Sequence, residues 1–243
     1  MNLHHHDFLS VNIGGKVAAV LARLRAENDQ ISEREQYAEE VLFAASELAA
    51  TLDQMKYAVQ SLSGYRHINP NRSRFGATRL DHIIFHVENH IIRTVMIVDR
   101  SLQLANVVFS LGLPERECSE ATVVKNSHLK GTATAKTLGQ LIQFVKPVRE
   151  QRNVIIHRRR HHENGLDKVA RFFVLEQYEQ AGESTKRVTP KYRWLYKSLT
   201  DKYVADKKRE LTKINAAAED LGALLFDALE PEFNRQWQIR NTA

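Results

Sequence analysis

The 243-residue chain has a single cysteine, Cys118, which excludes an intrachain disulfide framework and a cysteine-based zinc site. Glycine and proline are scarce, at 10 and 5 residues. Turn-rich all-β folds need more of both, so long helices are favoured. No stretch approaches the run of about 18 apolar residues that a membrane-spanning helix needs. The opening Met1 to Asp7 lacks the cationic start and apolar run of a signal peptide, and points to a cytoplasmic protein. There is no phosphate-binding glycine loop, no cysteine pair and no serine elbow.

What the chain does have is apolar content and positive charge. Hydrophobic residues make up 43%, enough for a sizeable core, and charged residues 26%. The net charge of +6, with a pI near 9.4, favours a polyanionic partner without distinguishing RNA from DNA. The charge is densest where Lys146, Arg149, Arg152, Arg158, Arg159 and Arg160 fall within fifteen residues. Two further basic runs span Lys186 to Arg193 and Lys202 to Lys213.

The spacing of apolar residues predicts an all-α fold. The first fifteen residues, ending in Gly14-Gly15, read as a loose lead-in, and Lys16 to Glu27 as a short amphipathic helix. Ser32 with Glu35 forms a capping box that opens a helix running to about Leu62. Tyr65 to Ala77 reads as a polar loop. Thr78 with Asp81 caps a helix whose apolar face, from Ile83 through Val87, Ile91, Val98 and Leu102 to Phe109, reaches Leu111. Gly112 and Pro114 stop it. A later helix begins near Thr137, with an irregularity at Pro147. Asn164-Gly165 reads as a turn, and Leu166 to Gln180 as a helix rather than a strand. Ala181 to Thr189 reads as a polar loop. Pro190 opens a last helix, to about Leu229, before Pro231. The organisation is an N-terminal extension over residues 1–31 and one helical domain over 32–243.

Chemistry concentrates in Arg149-Glu150-Gln151-Arg152-Asn153-Val154-Ile155-Ile156-His157 and the following Arg158-Arg159-Arg160-His161. On a helix, Arg149, Asn153, His157 and His161 would share one face. Val154, Ile155 and Ile156 would face the core and hold the element rigid. Cleaving RNA by its own 2′-hydroxyl needs a proton acceptor, a proton donor to the leaving 5′ oxygen, and cations on the charged phosphorane; no metal is required. Histidine suits the proton transfers, and the arginine fork suits the phosphate. The plain alternative is a solvated helix end whose cations complement the helix dipole.

The Arg152-Asn153-…-His157 element resembles the R-polar-x3-H motif of HEPN domains, an all-helical superfamily found in many prokaryotic toxins and defence proteins. The stretch from His86-Val87-Glu88-Asn89-His90 to Gly112 resembles the long central helix of one bacterial HEPN subgroup. The likeness spans about residues 33–230, but only the short motif is diagnostic. The resemblance implies a HEPN-like bundle of long antiparallel helices and a metal-independent endoribonuclease without cofactor. It also implies a homodimer whose two motifs meet in a basic cleft, and a cognate antitoxin as restraint. Arg152 would stabilise the phosphate, His157 would act as general base or acid, and Asn153 would be the polar companion. Arg149, Arg158, Arg159, Arg160 and His161 would contact RNA. The rival functions are a non-catalytic nucleic-acid-binding or regulatory protein, and a structural partner in a toxin–antitoxin pair.

Other residues carry competing readings. His82, His86 and His90 recur every four residues, but His82 and His90 stand about 12 Å apart along a helix, too far to share one metal. A histidine pair with Asp81 or Glu88 on a metal and a hydrogen-bonded groove both remain open; on the HEPN reading, His86, Glu88 and His90 would border the cleft. Tyr192, Trp194 and Tyr196, interleaved with Lys191, Arg193 and Lys197, fit either a nucleic-acid surface or a packed face with a cationic exterior. Arg72, Arg74 and Arg79 fit either phosphate contacts or a solvated loop. No histidine accompanies Cys118, so a thiol nucleophile is not indicated.

Overall fold

Among the described residues, capping residues and apolar periodicity together mark out six helices of fourteen or more residues. The computed structural model describes residues 2–27, 31–68, 78–157, 160–180 and 189–240, and no strand occurs among them. The helices are α1 (Gly14–Glu27), α2 (Glu33–Ser61), α3 (Arg79–Val108), α4 (Ala133–His157), α5 (Asn164–Gln180) and α6 (Pro190–Ile239). The expected all-α class is the observed one.

Both predicted capping boxes are present. Glu35 accepts from the Ser32 backbone N–H at 2.9 Å while its own N–H donates to Ser32 Oγ at 3.4 Å. The Thr78 N–H donates to Asp81 Oδ2 at 2.9 Å, and the Asp81 N–H to Thr78 Oγ1 at 3.1 Å. Each box satisfies donors that a helix start leaves open. The predicted apolar face of α3, from Ile83 to Phe109, is buried along its length. Leu166, Val169 and Phe173 of α5 are buried at helical spacing, so the helix reading over the strand is correct.

The chain divides into two compact units. Residues 1–54, 93–149 and 215–243 form the first, and residues 55–92 and 150–214 the second. In the first unit the opening residues are not a loose lead-in. Leu3, Phe8, Leu9 and Ile13 are buried, and the Phe8 ring packs on Phe226 and Phe233 at 5.5 and 5.7 Å. Removing that apolar area from water favours order where hydropathy alone suggested a lead. The last helix likewise runs through Pro231 instead of ending at Leu229. Proline in a helix interior costs roughly 3 kcal/mol. Here Leu229 and Phe233 on either side are fully buried, and burial of each large side chain returns about 1.5–3 kcal/mol. One turn ahead, the Ala228 carbonyl accepts a hydrogen bond from Thr134 Oγ1 at 2.9 Å.

The second unit buries three histidines and a lysine along with its apolar side chains. Among its buried residues are His86, His90, His161, Thr200 and Lys207 beside Ile83, Val87, Leu166, Val169, Phe173 and Val204. Asn164 and Gly165 do not form a separate turn; they are the first residues of α5, whose Asp167 N–H donates to the Glu163 carbonyl at 2.9 Å. A Cβ on Gly165 would stand 2.9 Å from Tyr203 Cδ2, so this close approach requires glycine. Of the predicted loop from Tyr65 to Ala77, residues 62–67 form a 3-10 turn, and residues 69–77, including Arg72 and Arg74, lie outside the described residues. So do residues 181–188 of the later loop.

Candidate functional site

The motif occupies the last turns of α4, within the second unit. Arg152 is half-buried, while Asn153 and His157 are exposed, His157 as the final residue of the helix. At 3.6 residues per turn, Arg152 and His157 leave the axis roughly 140° apart, but Asn153 and His157 only about 40° apart. The arginine closes that gap with its long side chain: Arg152 Nη1 donates to Asn153 Oδ1 at 3.1 Å. Its Nε is buried with no hydrogen-bond partner among the described residues. The guanidinium is thus turned toward the amide that shares a face with the imidazole. Val154 and Ile155 are half-buried and Ile156 is 46% exposed, so the apolar triplet is not fully buried as expected. At the last turn of a helix, fewer neighbouring side chains are available to cover it.

Because α4 ends at His157, His161 does not occupy the next turn of that face. It sits in the segment joining α4 to α5 and is 7% exposed. Its backbone N–H donates to Glu88 Oε1 at 2.7 Å, and its ring Nε2 lies 3.6 Å from Glu163 Oε2, ion-pair range but too long for a hydrogen bond. Next to it Arg160 pairs with Asp81, which also caps α3. This joining segment is therefore fastened to α3 at two places seven residues apart. Arg149 is half-buried and belongs to the first unit. Arg158 and Arg159 lie outside the described residues.

Glu163 anchors the same segment to α6. Lys207 Nζ donates to Glu163 Oε2 at 2.7 Å and to Glu210 Oε2 at 2.8 Å, and the Tyr203 hydroxyl donates to Glu163 Oε1. Burial pushes the Glu163 carboxyl up, but His161, Lys207 and Tyr203 outweigh it and hold the carboxyl at about 2. Burial opposes the Lys207 charge, and the two glutamates more than offset it. The sequence reading missed this cluster because forty positions separate Glu163 from Tyr203; only the i, i+4 spacing of Tyr203 and Lys207 is a local sign.

The histidines of α3 do not act as a row. His82 Nε2 is 2.8 Å from the Ser61 carbonyl, and its ring packs edge-on against His86 at 4.4 Å. His86 is 7% exposed with Nδ1 unpartnered among the described residues, and burial, then the neighbouring His82, lowers its pKa. Among the described residues, no group of three or more His, Cys, Asp and Glu side chains is arranged to hold a metal ion. Arg79 Nε donates to the Ile68 carbonyl at 3.1 Å. The Cys118 thiol is pushed up by burial and by Glu115 and Glu117, which disfavours a thiolate.

Comparison with protein-family models matches residues 70–203 to the family described as HEPN_Cthe2314-like HEPN. The chain belongs to the HEPN family. The matched span is narrower than the stretch of resemblance in the sequence, yet it contains the whole of α3, α4 and α5, with the motif and the joining segment. Comparisons with curated proteins and with solved structures gave no match. HEPN membership fits a helical bundle of RNase-type or related function. No described helix of this HEPN chain is long and apolar enough to cross a membrane.

Proposed function

We propose that this HEPN chain is a metal-independent endoribonuclease in which Arg152, Asn153 and His157 act on one ribose-phosphate linkage. The observation that carries this reading is the 3.1 Å Arg152–Asn153 hydrogen bond one turn before an exposed histidine. In the reaction, the 2′ oxygen attacks phosphorus and the bond from phosphorus to the 5′ oxygen breaks. One imidazole removes the 2′ proton and another donor protonates the leaving 5′ oxygen. His157 takes one of these parts, and in a homodimer the partner's copy supplies the other. Arg152 neutralises charge on the phosphorane through its fork, and Asn153 sets the direction of that fork. The exposed Ile156 beside His157 offers an apolar contact to the second copy. The products are a 2′,3′-cyclic phosphate and a 5′-hydroxyl.

The test is cleavage of single-stranded RNA in chelator-containing buffer, with end-group analysis of the products. Arg152→Ala and His157→Ala are expected to lower the rate by at least about 100-fold, the usual contribution of a positioned acid or base, while circular dichroism and melting temperature hold. Cleavage that survives His157→Ala, or that stops on chelation, overturns the reading. RNA affinity without any cleavage by the wild-type chain would favour the non-catalytic binding protein. In a cell, the matching role is a toxin or anti-phage defence effector restrained by a cognate antitoxin. Expression of the wild-type chain alone is then expected to arrest growth, and His157→Ala to relieve the arrest.

A further inference from the structure

The start of α6 separates three neighbouring aromatic residues into two environments. Tyr192 and Tyr196 turn inward: Tyr192 lies 5.0 Å from the Phe172 ring, and Tyr196 lies 5.0 Å from Phe173. Trp194, between them in sequence, is 69% exposed, and no aromatic ring among the described residues stacks on it. Lys191 and Lys197 stand one turn before and one turn after it, each roughly 60° to one side of its direction. Both lysines are exposed. The indole therefore projects between two cations on a surface that the packed tyrosines hold in place.

We propose that Trp194 is a stacking subsite for an unpaired nucleobase of single-stranded RNA, with Lys191 and Lys197 holding the flanking phosphates. The proposal rests on the nuclease reading for the identity of the polymer, but it concerns binding and is measured without cleavage. A base presents a flat π-face to the indole, and its backbone phosphates supply anions to Lys191 and to Lys197, whose acidic neighbour Asp201 is already bound by Tyr65 and Arg66. A second copy of this chain is a poorer occupant: a two-fold contact here would set Lys191, Arg193 and Lys197 against their own counterparts. A lipid surface is also poorer. Beside Trp194, Leu195 is 42% exposed, but one turn on stand Lys197 and Ser198, and a turn further Asp201, so the apolar patch does not continue along the helix for insertion. Over residues 190–214, the part of α6 in this unit, eight Lys and Arg face three Asp and Glu. Of those acids, Asp201 is already engaged by Tyr65 and Arg66.

The experiment uses the full chain with His157→Ala, so that the RNA survives titration, and a Trp237→Phe change that leaves Trp194 as the only indole. A twelve-residue oligouridylate is expected to quench that fluorescence on binding. Trp194→Ala should raise the Kd about tenfold or more, in line with roughly 1–3 kcal/mol per stacked base, and Trp194→Phe should restore most of the affinity. A duplex hairpin, which offers no free base face, should bind Trp194→Ala and its parent alike. An unquenched indole, or an oligouridylate Kd unmoved by Trp194→Ala, overturns the proposal. So does quenching by phosphatidylserine–phosphatidylcholine vesicles in place of RNA, or an affinity loss that follows a change in oligomeric state. If the wild-type chain fails to cleave, the nuclease reading falls and this titration still decides the subsite. If it cleaves but Trp194→Ala leaves the oligouridylate Kd unchanged, the subsite alone falls.

Discussion

Glu163 is one residue on which the joining segment after the motif depends, because it ties His161 to Tyr203 and Lys207. Its carboxyl titrates near 4.5 when unfolded and at about 2 in the folded chain. A depressed carboxyl stabilises the fold fully above the unfolded value, and that stabilisation disappears as pH falls from 4.5 toward 2. The shift corresponds to at most about 3 kcal/mol, and the quarter of the side chain that meets solvent lowers it to roughly 2 kcal/mol. Urea unfolding at pH 7 is therefore expected to find Glu163→Gln less stable than the wild type by about 2 kcal/mol, since the substitution also leaves the buried Lys207 with one carboxylate fewer. Near pH 2 the two proteins should converge. Equal stabilities at pH 7 would mean that the cluster contributes no more than an ordinary surface pair.

At the scale of helices, what was legible in the sequence was what neighbours in sequence decide. The Ser32–Glu35 and Thr78–Asp81 boxes are three-residue relations, and the buried faces of α3 and α5 are three- and four-residue relations. The errors came where distant residues prevail. Leu229 and Phe233 carry α6 past Pro231, and Phe226 and Phe233 order the first residues of the chain. At the candidate site the spacing that puts Asn153 and His157 on one helix face holds in α4, but continuing the helix through His161 was wrong. Asp81 and Glu88, about eighty residues upstream, hold the segment instead. Asp81 serves both as cap and as partner of Arg160, and magnitudes separate the two parts. The pair is 45% exposed on each side, so it contributes only a few tenths of a kcal/mol, whereas losing a cap costs about 1 kcal/mol. Thr78→Ala and Asp81→Ala are therefore expected to destabilise the chain by about 1 kcal/mol each, agreeing within roughly 0.5 kcal/mol. A much larger loss for Asp81→Ala would assign real stability to the Arg160 contact.

Across the whole molecule, a net charge of +6 says that polyanions are attracted but not where they are held. Salt dependence turns that general attraction into a count. Each phosphate neutralised by a lysine or arginine releases condensed counterions, and for single strands the slope of log affinity against log salt changes by about 0.7 per contact. A diffuse attraction spread over 35 Lys and Arg would let any one of them be removed with little change in slope. A subsite around Trp194 behaves differently, because the same two cations meet the same two phosphates in every complex. Lys191→Gln and Lys197→Gln are each expected to flatten the slope for oligouridylate by about 0.7, and the double change by about 1.4. Lys136→Gln, on α4 in the first unit, is expected to leave it unchanged. Trp194→Ala should shift the whole line to weaker binding with its slope nearly intact, since stacking releases no counterions. Equal flattening by all three lysine changes would place the RNA over the general basic surface and remove the distinction between subsite and background.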